Sequence, residues 1–418
     1  NTTELLDSIE DLGERMSEEG TVLLKNNGAL PLSADEKQKV TFLGFSSYFP
    51  IQGGDFGSTL TENKGTDADT VDMVQAFEAK GYSLNPTVQN MYLGMKEDFK
   101  SEAVLPWGVT TYYRATSPAI GGTFTSLEPS QEKLDKAEPT WKDSMNDYNV
   151  MIVTIARAAG ENTNYTPGEE GVNPEQNLNQ ADPLGLSDTE RATIDAAVKA
   201  KEQNGGKVIV LLNNASAMEI DELKNNDGID AMLEVGIPGG YGFYGVADVL
   251  SGDANPSGHL ADTYAVDNSA SPAAQNYGDY EWTNADSDYS INSEIVEAES
   301  IYTGYKYYET RYADTVLGQG NASDSVGSST GGAWTYDSEV SYPFGYGLSY
   351  TTFTQTLDSL NVDLEKKTVT AEVTVTNTGD VAGKDVVQLY ASTPYTDYDK
   401  EHLVEKAAVQ LLDYEKTD

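Results

Sequence analysis

Over residues 1–260, short runs of apolar residues alternate with stretches in which apolar residues recur at helical spacing. The apolar runs are typical of strands buried on both faces, and the amphipathic stretches are typical of surface helices. Strands are predicted at 40–45, 150–157, 207–213 and 229–235, and helices at 2–18, 69–80, 85–97, 187–203, 218–225 and 242–251. The turn-rich, aromatic residues 100–130 are expected to form an inserted loop region, and residues 162–186 a long irregular loop. The helix at 187–203 starts with the capping-box pattern Ser187-Asp-Thr-Glu190. Together these elements predict an α/β fold, with a mostly parallel sheet sandwiched by helices.

The pattern changes beyond residue 260. Residues 261–300 are polar and acidic and are expected to wrap the surface, and the Gly/Ser-rich residues 318–333 are expected to be mobile. From residue 353 apolar and polar residues alternate, which predicts strands around 369–375 and 384–390 with a turn between them. This is typical of an all-β sandwich, although only about three or four strands are supplied where about seven are needed. The predicted domains are therefore 1–345, with a wrapping region at 262–335, and an incomplete β-sandwich at 346–418.

One predicted strand is followed directly by residues that suggest chemistry. The strand at 150–157 breaks at Gly160 and leads to the carboxylate of Glu161. In open α/β sheets, ligands bind beyond the carboxyl ends of the strands, so an acid at this position is a candidate site residue. The alternative is a solvated loop acid, because the chain contains 68 acidic residues.

The composition limits the classes of partner and chemistry. With 26 basic and 68 acidic residues the formal charge is −42, which disfavours nucleic acid and anionic membranes as partners. No apolar stretch reaches 18 residues, so no membrane-spanning helix is predicted. The absence of cysteine and the presence of two histidines, His259 and His402, exclude thiolate chemistry and a histidine-rich metal cluster. The glycine-rich segment 51–58 lacks the ending of a phosphate-binding loop, and no cofactor is predicted.

Five phrases of the sequence are distinctive when they are taken in order. They are Glu19-Gly-Thr-Val-Leu-Leu-Lys-Asn26 with Leu30-Pro-Leu32, Arg157-Ala-Ala-Gly-Glu161, Gly252-Asp-Ala-Asn-Pro-Ser-Gly258, Pro343-Phe-Gly-Tyr-Gly-Leu-Ser-Tyr-Thr-Thr-Phe353 and Val373-Thr-Val-Thr-Asn-Thr-Gly379. In this order they resemble glycoside hydrolase family 3. The resemblance implies that the chain holds the family's α/β-sandwich domain, followed by part of a fibronectin-III-like domain.

The resemblance also implies a partner domain. The family's (β/α)8 barrel carries an aspartate nucleophile in a Ser-Asp-Trp-type motif and a Lys-His pair that holds the sugar, and neither motif occurs here. Some members have the barrel after the sandwich and fibronectin-like domains. We therefore expect a member of this inverted order, with the barrel supplied by the same protein, as a later segment or as a second chain. The usual order with the barrel removed is the alternative.

The resemblance assigns roles to four residues. It implies that Glu161 is the general acid/base, with Glu169 and Glu170 as rivals, because retaining glycosidases need a second carboxylate to shuttle the proton. Asp55 and Phe56 resemble the loop that approaches the leaving-group sugar, where an aromatic ring stacks on a pyranose and a carboxylate accepts hydroxyl hydrogen bonds. The alternative is a capped turn with a packed phenylalanine. Arg157 is assigned to the substrate side as a residue that orients the loop, with an ordinary surface arginine as its alternative. No metal ligands are predicted, and we interpret His259 as structural.

Three functions follow from these expectations. The first is a retaining exo-β-glucosidase that releases non-reducing-end glucose, to which this chain contributes the acid/base and part of the aglycone pocket. The second is a β-xylosidase or related exo-glycosidase of the same family, and the third is a non-catalytic carbohydrate-binding or scaffold fragment. The expected partners are a carbohydrate substrate and the barrel, with homo-oligomerisation left open. A cytoplasmic location is expected, with secretion as the alternative.

Overall fold

The structure is a computed structural model that describes residues 2–52, 71–99, 101–105, 108–112, 127–157, 165, 171–173, 178–180, 182–278, 280–283, 293–320 and 322–418. The α-helices are α1 (Thr2–Gly20), α2 (Ala34–Lys37), α3 (Met73–Ala79), α4 (Pro86–Gly94), α5 (Gln131–Ala137), α6 (Trp141–Ser144), α7 (Asp188–Asn204), α8 (Asp221–Lys224), α9 (Gly242–Ser251), α10 (Pro272–Asn276), α11 (Tyr305–Thr315), α12 (Tyr336–Glu339) and α13 (Asp397–His402). Short 3-10 helices cover Phe45–Ser47, Lys96–Phe99 and Asn268–Ala270.

The strands are β1 (Val22–Asn26), β2 (Val40–Leu43), β3 (Ser101–Leu105), β4 (Gly108–Tyr112), β5 (Val150–Arg157), β6 (Gly171–Asn173), β7 (Leu178–Gln180), β8 (Lys207–Asn214), β9 (Ala231–Glu234), β10 (Tyr264–Ala265), β11 (Tyr280–Glu281), β12 (Ser293–Glu294), β13 (Val340–Tyr342), β14 (Phe353–Asp363), β15 (Thr368–Asn377), β16 (Val386–Ala391) and β17 (Gln410–Lys416).

Five of these strands form the central sheet. Their order is β1-β9-β8-β5-β2, in which β2, β5, β8 and β9 run parallel and β1 is antiparallel to β9. All residues of β5, and all residues of β8 after Lys207, are buried. Their valine, isoleucine and leucine side chains remove apolar surface from water on both faces, which is the main favourable free energy of such a layer. The predicted α/β fold with a mostly parallel sheet is confirmed.

The predicted helices agree with the structure in position and differ at their ends. Helix α9 has the predicted bounds, and α7 begins after Ser187 with both hydrogen bonds of the predicted capping box. Helix α3 begins later than predicted, because Asp72 caps its first turn, and α4 ends earlier, at Gly94, where a 3-10 helix at Lys96–Phe99 follows. Helix α11 was not predicted at all. It lies in the region expected to wrap the surface.

Two predicted loops are wrong in part. Strands β3 and β4 pair as an antiparallel hairpin inside the expected loop 100–130, and β6 pairs with β7 inside the expected loop 162–186. Strand β4 has the sequence Gly-Val-Thr-Thr-Tyr, in which the β-branched and aromatic residues favour an extended backbone.

The chain divides into two compact units, each made of segments that are not contiguous in sequence. The first comprises Asn1–His259, Tyr346–Val387 and Lys416–Asp418, and the second comprises Leu260–Gly345 and Gln388–Glu415. Neither coincides with the predicted domains 1–345 and 346–418, and that division stays a prediction. In the second unit Ala265, Tyr307, Tyr308, Trp334 and Val340 form a small apolar core.

The predicted β-rich end of the chain contains two strand pairs, β14 with β15, which run antiparallel, and β16 with β17. In β15 the side chains of Ala371, Val373 and Val375 are half-buried and alternate with exposed residues, as the period-two pattern predicts. The identity of this region as a fibronectin-III-like sandwich stays a prediction. In the part of the chain that the structure describes, no helix is both long and apolar enough to cross a membrane.

Candidate active site

The carboxyl ends of the parallel strands form one edge of the central sheet. Arg157, the last residue of β5, is in register with Asn214, the last residue of β8, and Leu212 of β8 is in register with Glu234, the last residue of β9. The predicted site residues lie on the segments that leave this edge. Arg157 is described, whereas Asp55, Phe56 and Glu161, with the rivals Glu169 and Glu170, lie outside the described residues.

Arg157 is completely buried, and its guanidinium uses all five N–H donors on protein oxygens. Two donate to the carboxylate of Glu190, from Nη1 at 2.6 Å and from Nη2 at 2.8 Å. The other three donate to the carbonyl oxygens of Ala156, Pro183 and Gly185. No donor is therefore left for a sugar hydroxyl. Binding of substrate by Arg157 has no support from these contacts, and the orienting role remains a prediction.

Glu190 has two structural tasks at once. As the third residue of α7 it accepts the backbone N–H of Ser187 at 2.9 Å, which completes the capping box, and the same carboxylate holds Arg157. The start of α7 is thereby fixed to the end of β5. A bidentate ion pair at 0% and 6% exposure has well-defined geometry, because planar guanidinium and carboxylate groups match in two parallel hydrogen bonds.

The chain that follows β2 is held by Asn213 of β8. The Asn213 amide accepts the N–H of Ile51 at 2.7 Å and donates to the carbonyl oxygens of Ile51 at 2.9 Å and of Gly236 at 2.7 Å. This side chain is fully buried and pairs with Ile51 as a neighbouring strand would. The segment 51–52, which precedes Asp55 and Phe56, is thus attached to the edge formed by β8 and β9.

The two ends of the segment 53–70 are also linked. Gln52 donates from its side-chain amide to the carbonyl oxygen of Val71 at 2.6 Å, and the N–H of Val71 donates to the carbonyl oxygen of Gly240 at 2.7 Å. The residues that directly precede and follow the segment carrying Asp55 and Phe56 are therefore attached to this edge of the sheet.

A buried carboxylate, Glu128, lies beside the exit of β2, by which we mean the backbone directly after the strand, at Gly44 and Phe45. The exit of β5 is likewise the end of that strand at Arg157. It accepts the N–H of Phe45 at 2.7 Å, the hydroxyl of Tyr92 at 2.9 Å and the hydroxyl of Thr193 at 2.6 Å. Burial raises the pKa of the Glu128 carboxyl to about 7, and the three hydrogen bonds, which favour the ionised form, offset only part of that rise.

Glu128 and Glu190 line the same small cavity. Its volume is about 10 Å³, and its other lining residues are Gly44, Ser46, Leu127, Val153, Thr154, Ile155 and Thr193. A cavity of this size is at the lower limit for one water molecule. The two carboxyl groups therefore face one small cavity beside the carboxyl ends of β2 and β5.

Three carboxylates of the described chain, those of Glu14, Glu18 and Asp248, come within 4.8 Å of one another. The ammonium group of Lys80 lies 2.6 Å from Glu14 and 2.7 Å from Asp248, so it already supplies a positive charge to this group. We interpret the group as a tie between helices and not as a metal site. His259 has its Nδ1 3.2 Å from the carbonyl oxygen of Ser257, a contact that fits the predicted structural role.

Three residues of this edge were missed by the sequence analysis, namely Glu128, Glu190 in its pairing with Arg157, and Asn213. Glu128 lies in the stretch 100–130, which was expected to be an inserted loop. The position of Asn213 in the sequence predicts only the polar end of a strand. A sequence signal exists only for Glu190, as the capping residue.

Comparison with known proteins identifies the relatives of this chain. It is 29% identical over 403 residues to a beta-glucosidase of Ruminococcus albus. The match covers 96% of this chain and 33% of that protein. It is 37% identical over 156 residues to a probable beta-glucosidase H of Aspergillus flavus, which covers 37% of this chain and 14% of that protein. The structure of beta-glucosidase 3B from Thermotoga neapolitana in complex with glucose matches with a TM-score of 0.68 at 27% identity, over 99% of this chain and 47% of that one.

The chain thus spans about a third of the Ruminococcus relative and just under half of the Thermotoga structure. The family model described as glycosyl hydrolase family 3 C-terminal domain matches residues 21–350, which include the whole central sheet and the edge formed by its carboxyl ends. The chain belongs to glycosyl hydrolase family 3, through that family's C-terminal domain.

Proposed function

We propose that this chain supplies the general acid/base of a retaining β-glucosidase, with Glu161 as the residue that carries the proton. The observation that carries the proposal is the anchoring of Arg157 at the carboxyl end of β5, since Glu161 follows it by four residues. Membership of family 3 and the beta-glucosidase names of the relatives support the same reaction class.

The reaction needs two carboxyl groups, one that donates a proton and one that attacks as the nucleophile. Glu161, protonated, gives its proton to the glycosidic oxygen while an aspartate attacks the anomeric carbon and forms a glycosyl–enzyme ester. The carboxylate of Glu161 then takes a proton from water, whose oxygen displaces the aspartate and releases the sugar with its configuration retained. In this proposal the aspartate comes from a (β/α)8 barrel of the same protein.

A fixed start of the segment 158–161 benefits this chemistry. Proton transfer requires the acid within about 3 Å of the glycosidic oxygen, and a displacement of about 1 Å can reduce the rate by about 100-fold. The buried pair of Arg157 and Glu190 gives the segment a rigid origin. Arg157 acts in this proposal as a positioning residue.

Asp55 and Phe56 are assigned to the leaving-group side of the site. They follow Gln52 by three and four residues, and the attachment of Ile51 to Asn213 supports a position beyond the same sheet edge. The ring of Phe56 would stack on the apolar face of a pyranose, and the carboxylate of Asp55 would accept hydrogen bonds from its hydroxyls. Glucose is preferred to xylose as the released sugar because the reported relatives are named beta-glucosidases.

The test compares Glu161→Ala with Glu169→Ala and Glu170→Ala in the protein that joins this chain to its barrel. On aryl β-glucosides with poor leaving groups, Glu161→Ala should lower kcat/KM by about 100-fold or more, because such leaving groups depend on protonation. Activated leaving groups should lose much less. On activated substrates, where hydrolysis of the ester limits turnover, added azide should restore the rate and yield β-glucosyl azide, because the small anion attacks the ester from the vacated space without a general base.

Wild-type turnover by Glu161→Ala would exclude this residue from the mechanism. The same leaving-group dependence and azide product in Glu169→Ala or Glu170→Ala would transfer the role to that residue. A protein joined to its barrel that cleaves no aryl glycoside would favour the non-catalytic carbohydrate-binding function.

A further inference from the structure

The exit of β2 is attached to a single buried carboxylate. Glu128 accepts the N–H of Phe45 directly, and it accepts the hydroxyl of Tyr92, whose oxygen in turn receives the N–H of Gly44 at 3.1 Å. The first two backbone amides after β2 are thus bound to Glu128, one directly and one through Tyr92. These amides begin the segment that leads to Asp55 and Phe56.

The same carboxylate is attached to the helix that holds the exit of β5. Its Oε1 accepts the hydroxyl of Thr193 at 2.6 Å, and Thr193 lies one turn along α7 from Glu190, the partner of Arg157. Thr193 is 1% exposed, and Glu128 and Glu190 line one cavity of about 10 Å³. A continuous set of buried contacts therefore joins the backbone after β2 to the side chain that ends β5.

We propose that Glu128 is a positioning residue for the glycosidase reaction, which sets the exit of β2 relative to the exit of β5 through Thr193 and Glu190. The inference rests on the proposed function, because the two exits lead to Asp55 and Phe56 on one side and to Glu161 on the other. Glu128 touches no reacting atom in this role. It holds the described starts of the two segments, at Phe45 and at Arg157, at a fixed separation. Proton transfer benefits when the groups around it are carried on elements of fixed geometry.

The choice of an acid at this position supports the inference. A buried carboxyl group carries a large desolvation cost, so packing alone would be served better by an apolar side chain of similar size. A carboxylate has two oxygens and can accept from several donors at once. At this position it brings an amide, a tyrosine and a threonine from three separate segments to one point.

The decisive variant is Thr193→Val, which keeps the volume and removes the hydroxyl between α7 and Glu128. In the protein joined to its barrel we expect kcat/KM on a poor-leaving-group aryl glucoside to fall by about tenfold and kcat/KM on an activated one by less than about twofold, because kcat/KM reports the step in which the leaving group is protonated. KM should change little. Glu128→Gln should show the same selectivity, since an amide keeps only part of the bonding. Glu132→Gln, an exposed acid of α5, is the control and should match wild type.

Equal losses of kcat/KM on both substrates, or no loss on either, would overturn the inference, because a purely structural role does not distinguish leaving groups. Thermal unfolding of each variant, with assays well below its Tm, keeps partial unfolding out of the comparison. If Glu128→Gln does not fold, the comparison of Thr193→Val with the wild type still tests the inference. Wild-type turnover by Glu161→Ala would instead refute the proposed function, so the two failures are distinguishable.

Discussion

Arg157 and Glu190 form a bidentate ion pair, with N–O distances of 2.6 Å and 2.8 Å, at a point where β5 ends and α7 begins. The carboxylate also caps α7, and the guanidinium also binds three backbone carbonyl oxygens. The pair therefore holds a strand end, a helix start and the chain around Pro183–Gly185 together. It is the rigid base of the segment to which we assign the acid/base.

Removal of one partner of this pair should be strongly destabilising. Glu190→Ala leaves the guanidinium buried without its counter-charge and also removes the helix cap, so we expect the free energy of unfolding to fall by roughly 3–5 kcal/mol. Urea unfolding monitored by circular dichroism measures the loss. The control is Glu222→Ala, which breaks the half-exposed pair of Arg191 and Glu222 and should cost at most about 1 kcal/mol. Equal losses in the two variants would contradict a special role for the buried pair.

The stability of the protein should contain a contribution from Glu128 that is lost with rising pH. The folded-state pKa of this carboxyl is about 7 and its ordinary value is 4.5, so the folded state binds the proton more tightly. The contribution is fully present below about pH 4.5 and disappears as the pH rises through 7, and it amounts to about 3 kcal/mol. The groups that face Glu128 are Tyr92, Thr193 and, across the cavity, Glu190.

This contribution can be isolated with Glu128→Gln. The free energy of unfolding, measured between pH 4 and pH 9 by urea titration, should decline less steeply above pH 5 in the variant than in the wild type. Above pH 8 the free energy of unfolding of the variant, taken relative to that of the wild type, should reach its highest value. Parallel curves would show that the Glu128 carboxyl does not titrate in this range.

The side-chain amide of Asn213 should contribute more to the free energy of unfolding than the neighbouring buried amide of Asn214. Asn213→Ala leaves the N–H and C=O of Ile51 unpaired in a buried place, which should cost about 2–4 kcal/mol. Asn214→Ala is the matched control, because neither atom of the buried Asn214 amide has a hydrogen-bond partner in the described part of the chain. It should cost about 1 kcal/mol or less. A smaller loss for Asn213→Ala than for Asn214→Ala would contradict this account of the edge.

The residue after β2 has to be glycine for two reasons. Gly44 has φ of 92°, and a Cβ at this position would lie 2.6 Å from the carbonyl oxygen of Thr154. Gly44→Ala should therefore destabilise the protein by about 3 kcal/mol or more. Gly81 has φ of 84° with no atom within 4 Å of its Cβ position, so Gly81→Ala should cost only about 1–2 kcal/mol of backbone strain. Similar losses would show that the contact with Thr154 relaxes.

The local elements of the sheet domain were predictable from sequence. Strands β5 and β8 are continuous runs of buried apolar residues, and α7 begins at a capping box that is readable from Ser187 and Glu190. The β3–β4 hairpin and α11 were missed. Both lie in turn-rich or polar stretches, where apolar periodicity gives no clear signal.

The candidate site was only partly predictable. Arg157 was identified from its place between a buried strand and Glu161, but its partner lies 33 residues further along the chain. The role of Glu128 could not be predicted for a similar reason, since its three hydrogen-bond partners are at positions 45, 92 and 193. No local pattern encodes such a meeting of distant groups.

The sequence by itself determined the four parallel strands of the central sheet, the cap of α7 and the residue at which β5 ends. Periodicity and capping act between neighbours in sequence, and these features depend on nothing else. Only the tertiary structure decided that Arg157 meets Glu190 and that Glu128 joins two strand exits. Buried polar groups must find partners wherever the register of the sheet and the packing of the helices bring donors close, and both of these are properties of the folded chain.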